Sequence, residues 1–255
     1  MDASLSKSGT TRSRLQKEGR KKNVEIELTL EQREKAEPLR YRYTRMVNAG
    51  YVGRNQEEVR RHIEELAKKG IPGPKKTPTL YPVIPRMLAM DNTVEVYSSE
   101  TCGEVEYVLL IKDEKTIYVG LGSDHTDRHL EETDIPRAKQ ICPNVISRRV
   151  WPLSEVLPHW DDLEIASRVV KDGQEILYQK GLLALILDPP ALMGLARSKI
   201  TGSLAGTVIY SGTLGTLTGG FVFGERFTAR LTDPRMGRSL DLQYDILPLD
   251  YLSVD

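Results

Sequence analysis

The stretches GEVEYVLL (residues 103–110) and GLGSDHTDRHLE (residues 120–131) decide how the rest of the chain is read. In the first, an apolar run follows two glutamates spaced i and i+2. On a strand, Glu104 and Glu106 therefore stand on one face. Two carboxylates side by side repel unless solvent or a cation lies between them. The residues alone admit a solvent-facing edge, with Val105 and Tyr107 turned inward, or a cation site. In the second stretch, Gly120 and Gly122 end a strand and free the backbone to turn. Asp124, His125, Asp127, Arg128 and His129 then crowd the loop after it, where a rigid scaffold tends to carry function. A charged turn with internal Asp–Arg pairing is the alternative. A third stretch, YSGTLGTLTGG (residues 210–220), is a glycine- and threonine-rich loop after a strand, of a kind that can cradle phosphate with backbone amides. No Lys-Ser/Thr closes it, which argues against a Walker-type loop.

Working outward, the chain from Thr93 reads as β-rich. Val94–Tyr97, Glu104–Ile111 and Thr116–Val119 are expected strands, the last two joined at Asp113-Glu114. Leu163–Val170 and Gln174–Gln179 flank Asp172-Gly173, a pair that tolerates positive φ and marks a hairpin. A helix is expected from near Pro190, a strand over Thr207–Ser211, and a last hairpin from Arg226–Leu231 and Ser239–Leu247. Upstream, Val24, Ile26 and Leu28 alternate with glutamates as in a half-buried strand. Thr29 and Gln32 resemble a capping box opening a short helix that Pro38 ends. Asn55 and Glu58 cap a stronger helix over Gln56–Lys69, with Val59, Ile63 and Leu66 at helical spacing. The proline-rich segment Gly70–Pro85 is expected to separate an N-terminal cap subdomain, residues 24–80, from a catalytic domain, residues 81–255. Residues 1–23, basic and poor in apolar side chains, read as a flexible tail that can serve as an electrostatic arm for a polyanion.

Composition narrows the function classes. The chain has 255 residues, 39% hydrophobic and 28% charged, as in ordinary globular proteins. At this length about three quarters of the unfolded surface is buried on folding, enough for a core and a cleft. Thirty-six Lys and Arg balance thirty-six Asp and Glu, so nucleic acid is disfavoured as the main partner. Two cysteines, Cys102 and Cys142, are too few for a disulfide framework or a cysteine-rich zinc site. A reducing cytoplasm is the expected compartment, without a membrane span or a secretory signal.

Taken in order, these pieces resemble the fumarylacetoacetate hydrolase superfamily. That family has an E-x-E strand running into an apolar stretch, here Gly103–Leu110, then a strand ending in a glycine turn with D-x-x-x-R, here Asp124 to Arg128. A lysine ahead of a Cys-Pro step follows, here Lys139 and Cys142-Pro143. After it come a hairpin carrying a glutamine, here Asp172-Gly173 and Gln179, and a T-G-T-P strand end, here Ser211-Gly212-Thr213-Leu214. The match runs from about Tyr81 to the C-terminus. The segment Tyr41–Gly73, with AGYVGR at residues 49–54, has no counterpart in the best-known members, which marks a divergent branch.

The resemblance implies a mixed α/β, β-rich fold, a β-sandwich roll of the fumarylacetoacetate hydrolase type with the small N-terminal α/β cap, and subunits paired as homodimers. It implies that Glu104, Glu106 and Asp124 ligate one divalent cation. Three hard oxygen donors suit Mg²⁺ or Mn²⁺ and not Zn²⁺. By the same resemblance Lys139 holds a substrate oxygen and Gln179 assists the reaction, while Arg128, Thr213 and Gly212 bind substrate. The implied activity is hydrolysis of a C–C bond in a β-dicarbonyl or 2-oxo acid through a metal-bound enolate. Decarboxylation, dehydration or tautomerisation of a 2-oxo acid, and a non-catalytic metal- or ligand-binding protein on the same fold, are the other readings. Family hydrolases place a His–Glu pair before the E-x-E strand to activate water. No histidine lies between Tyr81 and Glu100, which leaves His125 as the nearest candidate base. The motif proline is Leu214.

Overall fold

The structure, a computed structural model, describes residues 23–252 apart from 34, 69–73 and 75. The expected basic tail lies outside the described residues but for Asn23, and the expected linker lies partly outside them. The first strands are β1 (Val24–Gln32), β2 (Lys35–Tyr43), β3 (Arg45–Gly50) and β4 (Thr79–Val83), with helix α1 (Gln56–Lys68) between the last two. Short strands β5 (Leu88–Ala89), β6 (Thr93–Val96) and β7 (Thr101–Cys102) lead to β8 (Val105–Ile111) and β9 (Ile117–Asp124). After β10 (Thr126–Asp127) come α2 (Arg128–Glu131), α3 (Ile135–Ile141), β11 (Asn144–Pro152) and α4 (Leu153–Val156). The rest is β12 (Glu164–Lys171), β13 (Gln174–Leu182), α5 (Pro189–Lys199), β14 (Thr207–Tyr210), β15 (Arg226–Asp233) and β16 (Arg238–Pro248).

A nine-stranded sheet runs β2-β1-β11-β9-β8-β14-β3-β4, with β5 also on β11. A five-stranded sheet runs β13-β12-β15-β16-β6, and β7 pairs with β10. The strand β8 lies inside the large sheet, and all seven of its residues are buried. A short unbroken apolar run is the signature of such a strand. Its side chains divide by parity. Tyr107, Leu109 and Ile111 enter the main core with Val119, Leu121, Trp151, Phe227 and Tyr244. Val108 and Leu110 join a second cluster on the other face with Tyr41, Tyr43, Met46, Tyr118 and Tyr210.

Most of the strands expected from the sequence are present. The Asp172-Gly173 turn has φ of +52° and +73°, the left-handed pair that a two-residue hairpin needs. Asn55 Oδ1 accepts the N–H groups of Glu57 (3.2 Å) and Glu58 (3.3 Å) at the start of α1, and Asp188 caps α5 through Ala191 N–H (2.8 Å).

Two expectations are corrected. The short helix at Thr29–Pro38 is the β1–β2 hairpin, paired from Val24↔Tyr43 to Gln32↔Lys35. The alternation of Val24, Ile26, Leu28 and Leu30 continues through the supposed cap. Pro38 is tolerated because β2 is an edge strand. Nor is there a separate cap over residues 24–80. In the large sheet β1 pairs with β11 and β3 with β14, so this segment completes the sheet that carries β8 and β9, and the expected boundary falls inside β4. The homogeneous apolar facing of Leu28, Leu30, Tyr41, Tyr43 and Met46 is what the second core cluster required.

Gly122 on β9 shows how tightly this face is filled. A Cβ there would meet Tyr210 Cε1 at 2.6 Å and Val108 Cγ2 at 2.5 Å, with the Val145 carbonyl at 3.0 Å. Tyr210 cannot yield easily, because its hydroxyl donates to that same carbonyl (3.0 Å). Gly122→Ala is expected to cost about 1–3 kcal/mol, the usual penalty for overpacking a dense core, measured as a lower midpoint in urea with unchanged m-value.

Candidate metal centre

The sheet register brings the carboxylates together. Glu104 and Asp124 are opposite one another, each N–H donating to the other's carbonyl at 3.1 Å. Residues so paired across antiparallel strands share a face. Glu106 lies two residues along β8, opposite Gly122, and shares that face. One oxygen from each of Glu104, Glu106 and Asp124 falls in a group whose members are all within 4.8 Å of one another. Glu106 and Asp124 are buried, and Glu104 is partly exposed at the floor of a cleft of about 1370 Å³.

The hydrogen bonds fix these groups without exhausting them. Gly212 N–H donates to Glu106 Oε2 (2.8 Å), and Thr126 Oγ1 donates to Asp124 Oδ1 (3.2 Å). Gly212 has φ of +79°, and a Cβ there would lie 2.9 Å from the Ala49 carbonyl and 2.5 Å from Val52. A glycine is required for its amide to reach Glu106. Lys139, buried on α3, places Nζ 2.5 Å from Asp124 Oδ2 and 3.7 Å from Glu131 Oε1. Arg128, buried at the start of α2, pairs with Glu131 (2.6 Å) and Glu104 (3.3 Å), and its Nε donates to Cys102 Sγ (3.0 Å). The β7–β10 pairing, Thr126↔Cys102, brings Arg128 beside Glu104. Asp127, the alternative partner for Arg128, is instead the cap of α2, accepting Leu130 N–H at 2.8 Å.

Four carboxylates, those of Glu104, Glu106, Asp124 and Glu131, therefore face two cations, Lys139 and Arg128. If all are ionised the cluster carries two surplus negative charges. Burial, then the Asp124 charge, push the Glu106 carboxyl well above the usual range, and burial raises Glu104 against the opposing pull of Arg128 and Lys139. Burial alone would discharge Lys139, but Asp124, Glu104 and Glu131 outweigh it and hold the ammonium protonated. A divalent cation fits this site on two grounds. It would cancel the charge the cluster carries when all four carboxylates are ionised, and the donors are the hard oxygens that Mg²⁺ or Mn²⁺ takes.

Not every expected site residue belongs to the cleft. His125 is fully buried, with Nδ1 2.9 Å from the Tyr244 hydroxyl and Nε2 2.9 Å from Thr101 Oγ1. Burial, helped by the Arg128 charge, pushes its pKa down to about 3. It is a neutral core imidazole with both nitrogens engaged, which corrects its assignment as the water-activating base. Gln179 is likewise spent. Its Oε1 accepts Val105 N–H (3.0 Å) and Ser167 Oγ (3.0 Å), and its Nε2 donates to Thr213 Oγ1 (2.7 Å) and the Leu214 carbonyl (2.7 Å). Thr213 Oγ1 in turn donates to the Val105 carbonyl (2.6 Å). These two residues tie the 211–215 loop to β8, and Thr213 also lines the cleft. Glu131 was not expected. Its only sequence signal is its place three residues after Arg128, a spacing that lets the two pair along a helix turn.

Residues 49–244 match the family described as "Protein of unknown function (DUF2848)". The chain belongs to this family. No curated protein matches the sequence. Solved structures give its fold. One is ynq8 of yeast, a fumarylacetoacetate hydrolase family protein, 16% identical, with a TM-score of 0.55 over 81% of this chain and 94% of that one. Another is 5-carboxymethyl-2-hydroxymuconate delta-isomerase from Mycobacterium smegmatis, 17% identical, with a TM-score of 0.56 over 81% and 77%. A third is 2-keto-3-deoxy-D-arabinonate dehydratase complexed with magnesium and 2,5-dioxopentanoate, 15% identical, with a TM-score of 0.54 over 80% and 73%. This DUF2848 chain therefore has the fumarylacetoacetate hydrolase fold. Among its described residues no helix is long and apolar enough to cross a membrane.

The core role of His125 is testable through pH. Its folded pKa lies below the ordinary value of 6.5, so the unfolded chain binds the extra proton and stability falls as pH drops from about 6.5 toward about 3. His125→Gln is expected to lower the melting temperature at pH 7.5 and to flatten its decline over that acid range, with Mg²⁺ affinity retained. A variant as stable as wild type with lost Mg²⁺ binding would return His125 to the site.

Proposed function

We propose that this protein is a divalent-cation-dependent enzyme acting on 2-oxo acids, with Glu104, Glu106 and Asp124 holding Mg²⁺ or Mn²⁺. The observation that carries the reading is the converging set of three carboxylates at a large cleft. The likeness to a dehydratase bound to magnesium and 2,5-dioxopentanoate supports it. When bound, the cation supplies positive charge for the negative charge that develops on a substrate carbonyl oxygen.

The chain's own groups do the rest. Gly212 N–H and Lys139 hold Glu106 and Asp124 in place, and Arg128 holds Glu104 through an ion pair. The loop tied down by Gln179 and Thr213 walls one side of the cleft. Lys139, held as an ammonium beside the cleft, would be the donor to a substrate carboxylate or carbonyl oxygen if a cation took its place on Asp124. Among the described residues lining the cleft there is no histidine. A base for the reaction would therefore be a carboxylate such as Glu131. The likeness to an isomerase and a dehydratase favours proton transfer or elimination adjacent to the carbonyl, a lyase or isomerase reaction, over hydrolysis of a C–C bond. By the family resemblance the subunits pair as homodimers.

Glu106→Gln keeps the side chain's shape and removes one anionic ligand. It is expected to weaken Mg²⁺ binding by at least tenfold in calorimetry and to abolish turnover at millimolar Mg²⁺. Unchanged affinity in Glu104→Gln, Glu106→Gln and Asp124→Asn alike would overturn the metal assignment. A screen of oxaloacetate, acylpyruvates and sugar-derived 2-oxo acids in ¹⁸O-labelled water separates the reactions. Turnover without label in a new carboxylate is the expected result, and label there would make the protein a C–C hydrolase.

A further inference from the structure

Tyr51 has a backbone φ of +60°, in the left-handed region that side chains seldom enter and bulky ones least. Gly50 and Gly53 stand close by in the same AGYVGR segment, and either could take that conformation at no steric cost. The strain nonetheless falls on the tyrosine. The turn is held from several sides. Leu187 N–H donates to the Val52 carbonyl (2.9 Å), and Arg54 N–H donates to the Leu185 carbonyl (2.9 Å). Gln56 Nε2 donates to the carbonyls of both Tyr51 (3.0 Å) and Gly53 (2.7 Å). The Arg54 guanidinium makes two hydrogen bonds to Asp161, at 2.8 and 2.7 Å. Val52 is buried at 2% exposure against Gly212, the residue whose amide holds Glu106. A strained residue persists only where its surroundings over-determine it, and such residues cluster at functional sites.

The strain delivers the side chain to the cleft. The half-buried phenol lines it together with Glu104, Glu106, Glu131 and Lys139. Burial raises its pKa, and the Glu131 charge adds to this against the pull of Lys139, so the hydroxyl is a neutral donor at physiological pH. Of the other donors nearby, Arg128 is committed to carboxylates, Thr213 to the Val105 carbonyl and Gly212 N–H to Glu106, while Lys139 faces Asp124 and Glu131. Tyr81, the second phenol in the cleft, sits on the regular strand β4.

We propose that Tyr51 is a catalytic hydrogen-bond donor, its hydroxyl binding the oxygen on which negative charge develops in a substrate seated against Glu104, Glu106 and Asp124. The inference rests on the reading of the cleft as a metal-dependent oxo-acid site, and the test separates the two. Oxalate is the probe, because its adjacent carboxylate oxygens chelate a divalent cation as the enolate form of a 2-oxo acid does. Mg²⁺ binding, and oxalate binding in the presence of Mg²⁺, are measured by calorimetry on the full chain and on Tyr51→Phe. The expected result is unchanged Mg²⁺ affinity and melting temperature with oxalate bound about 10- to 100-fold more weakly, the loss typical of one hydrogen bond to a charged group. Oxalate bound equally well by both proteins, with Mg²⁺ binding intact, would overturn the role of Tyr51 alone. Loss of Mg²⁺ binding in Tyr51→Phe would overturn it too, by placing the phenol among the supports of the metal ligands. Absence of Mg²⁺-dependent oxalate binding to the wild-type protein would overturn the oxo-acid reading and the role of Tyr51 with it.

Discussion

Burying the carboxylate of Glu106 within a strand of otherwise apolar residues is the constraint on which the rest of the site depends. An isolated carboxylate in that position would cost several kcal/mol after relaxation. The fold meets this cost in a particular way: the Gly212 amide donates to one oxygen, and Lys139 is brought in on a helix to neutralise Asp124 beside it. Each device has its own structural demand. Gly212 must adopt positive φ against Ala49 and Val52, and α3 must pack so that Lys139 is 5% exposed. These demands fix the 211–215 loop, the 49–54 turn and the α2–α3 segment around one point. With every carboxylate ionised the cluster still carries more negative charge than Lys139 and Arg128 offset, and a divalent cation fits that difference.

The sequence made the centre of this site legible. Glu104 and Glu106 at i and i+2 before an apolar run, and Asp124 after the glycine strand end, could be placed on one face once both segments were read as paired strands. The i, i+2 rule is geometric and survives any tertiary context. Lys139 was reached through family resemblance, and its burial between Asp124 and Glu131 could not be read from a helix carrying Arg137 and Gln140 as near neighbours.

Other residues were illegible for physical reasons. His125 lies one residue past Asp124, so on a strand it points to the opposite face, into the core beside Tyr244, and its chemistry is that of a buried hydrogen-bonding group. Gln179 and Thr213 have the polarity of substrate ligands, yet each satisfies the backbone of β8, which only the three-dimensional pairing reveals. At the β1–β2 hairpin a local capping pattern, Thr29 and Gln32, competes with an apolar alternation that continues beyond it, and the pairing of β1 with β2 decides for the strand. The separate cap dissolved for a related reason: residues 24–50 bury their apolar face against Tyr210 and Val108, far along the chain, and no local signal announces such pairing.

Diffraction from crystals soaked in Mn²⁺, recorded near the manganese absorption edge, tests the central claim most directly. A single anomalous peak within coordinating distance of Glu104, Glu106 and Asp124, with Lys139 withdrawn from Asp124, is the expected result. Fully soaked crystals without a peak there, in which Lys139 still holds Asp124, would mean that the carboxylate cluster is balanced by the protein alone and is no metal centre.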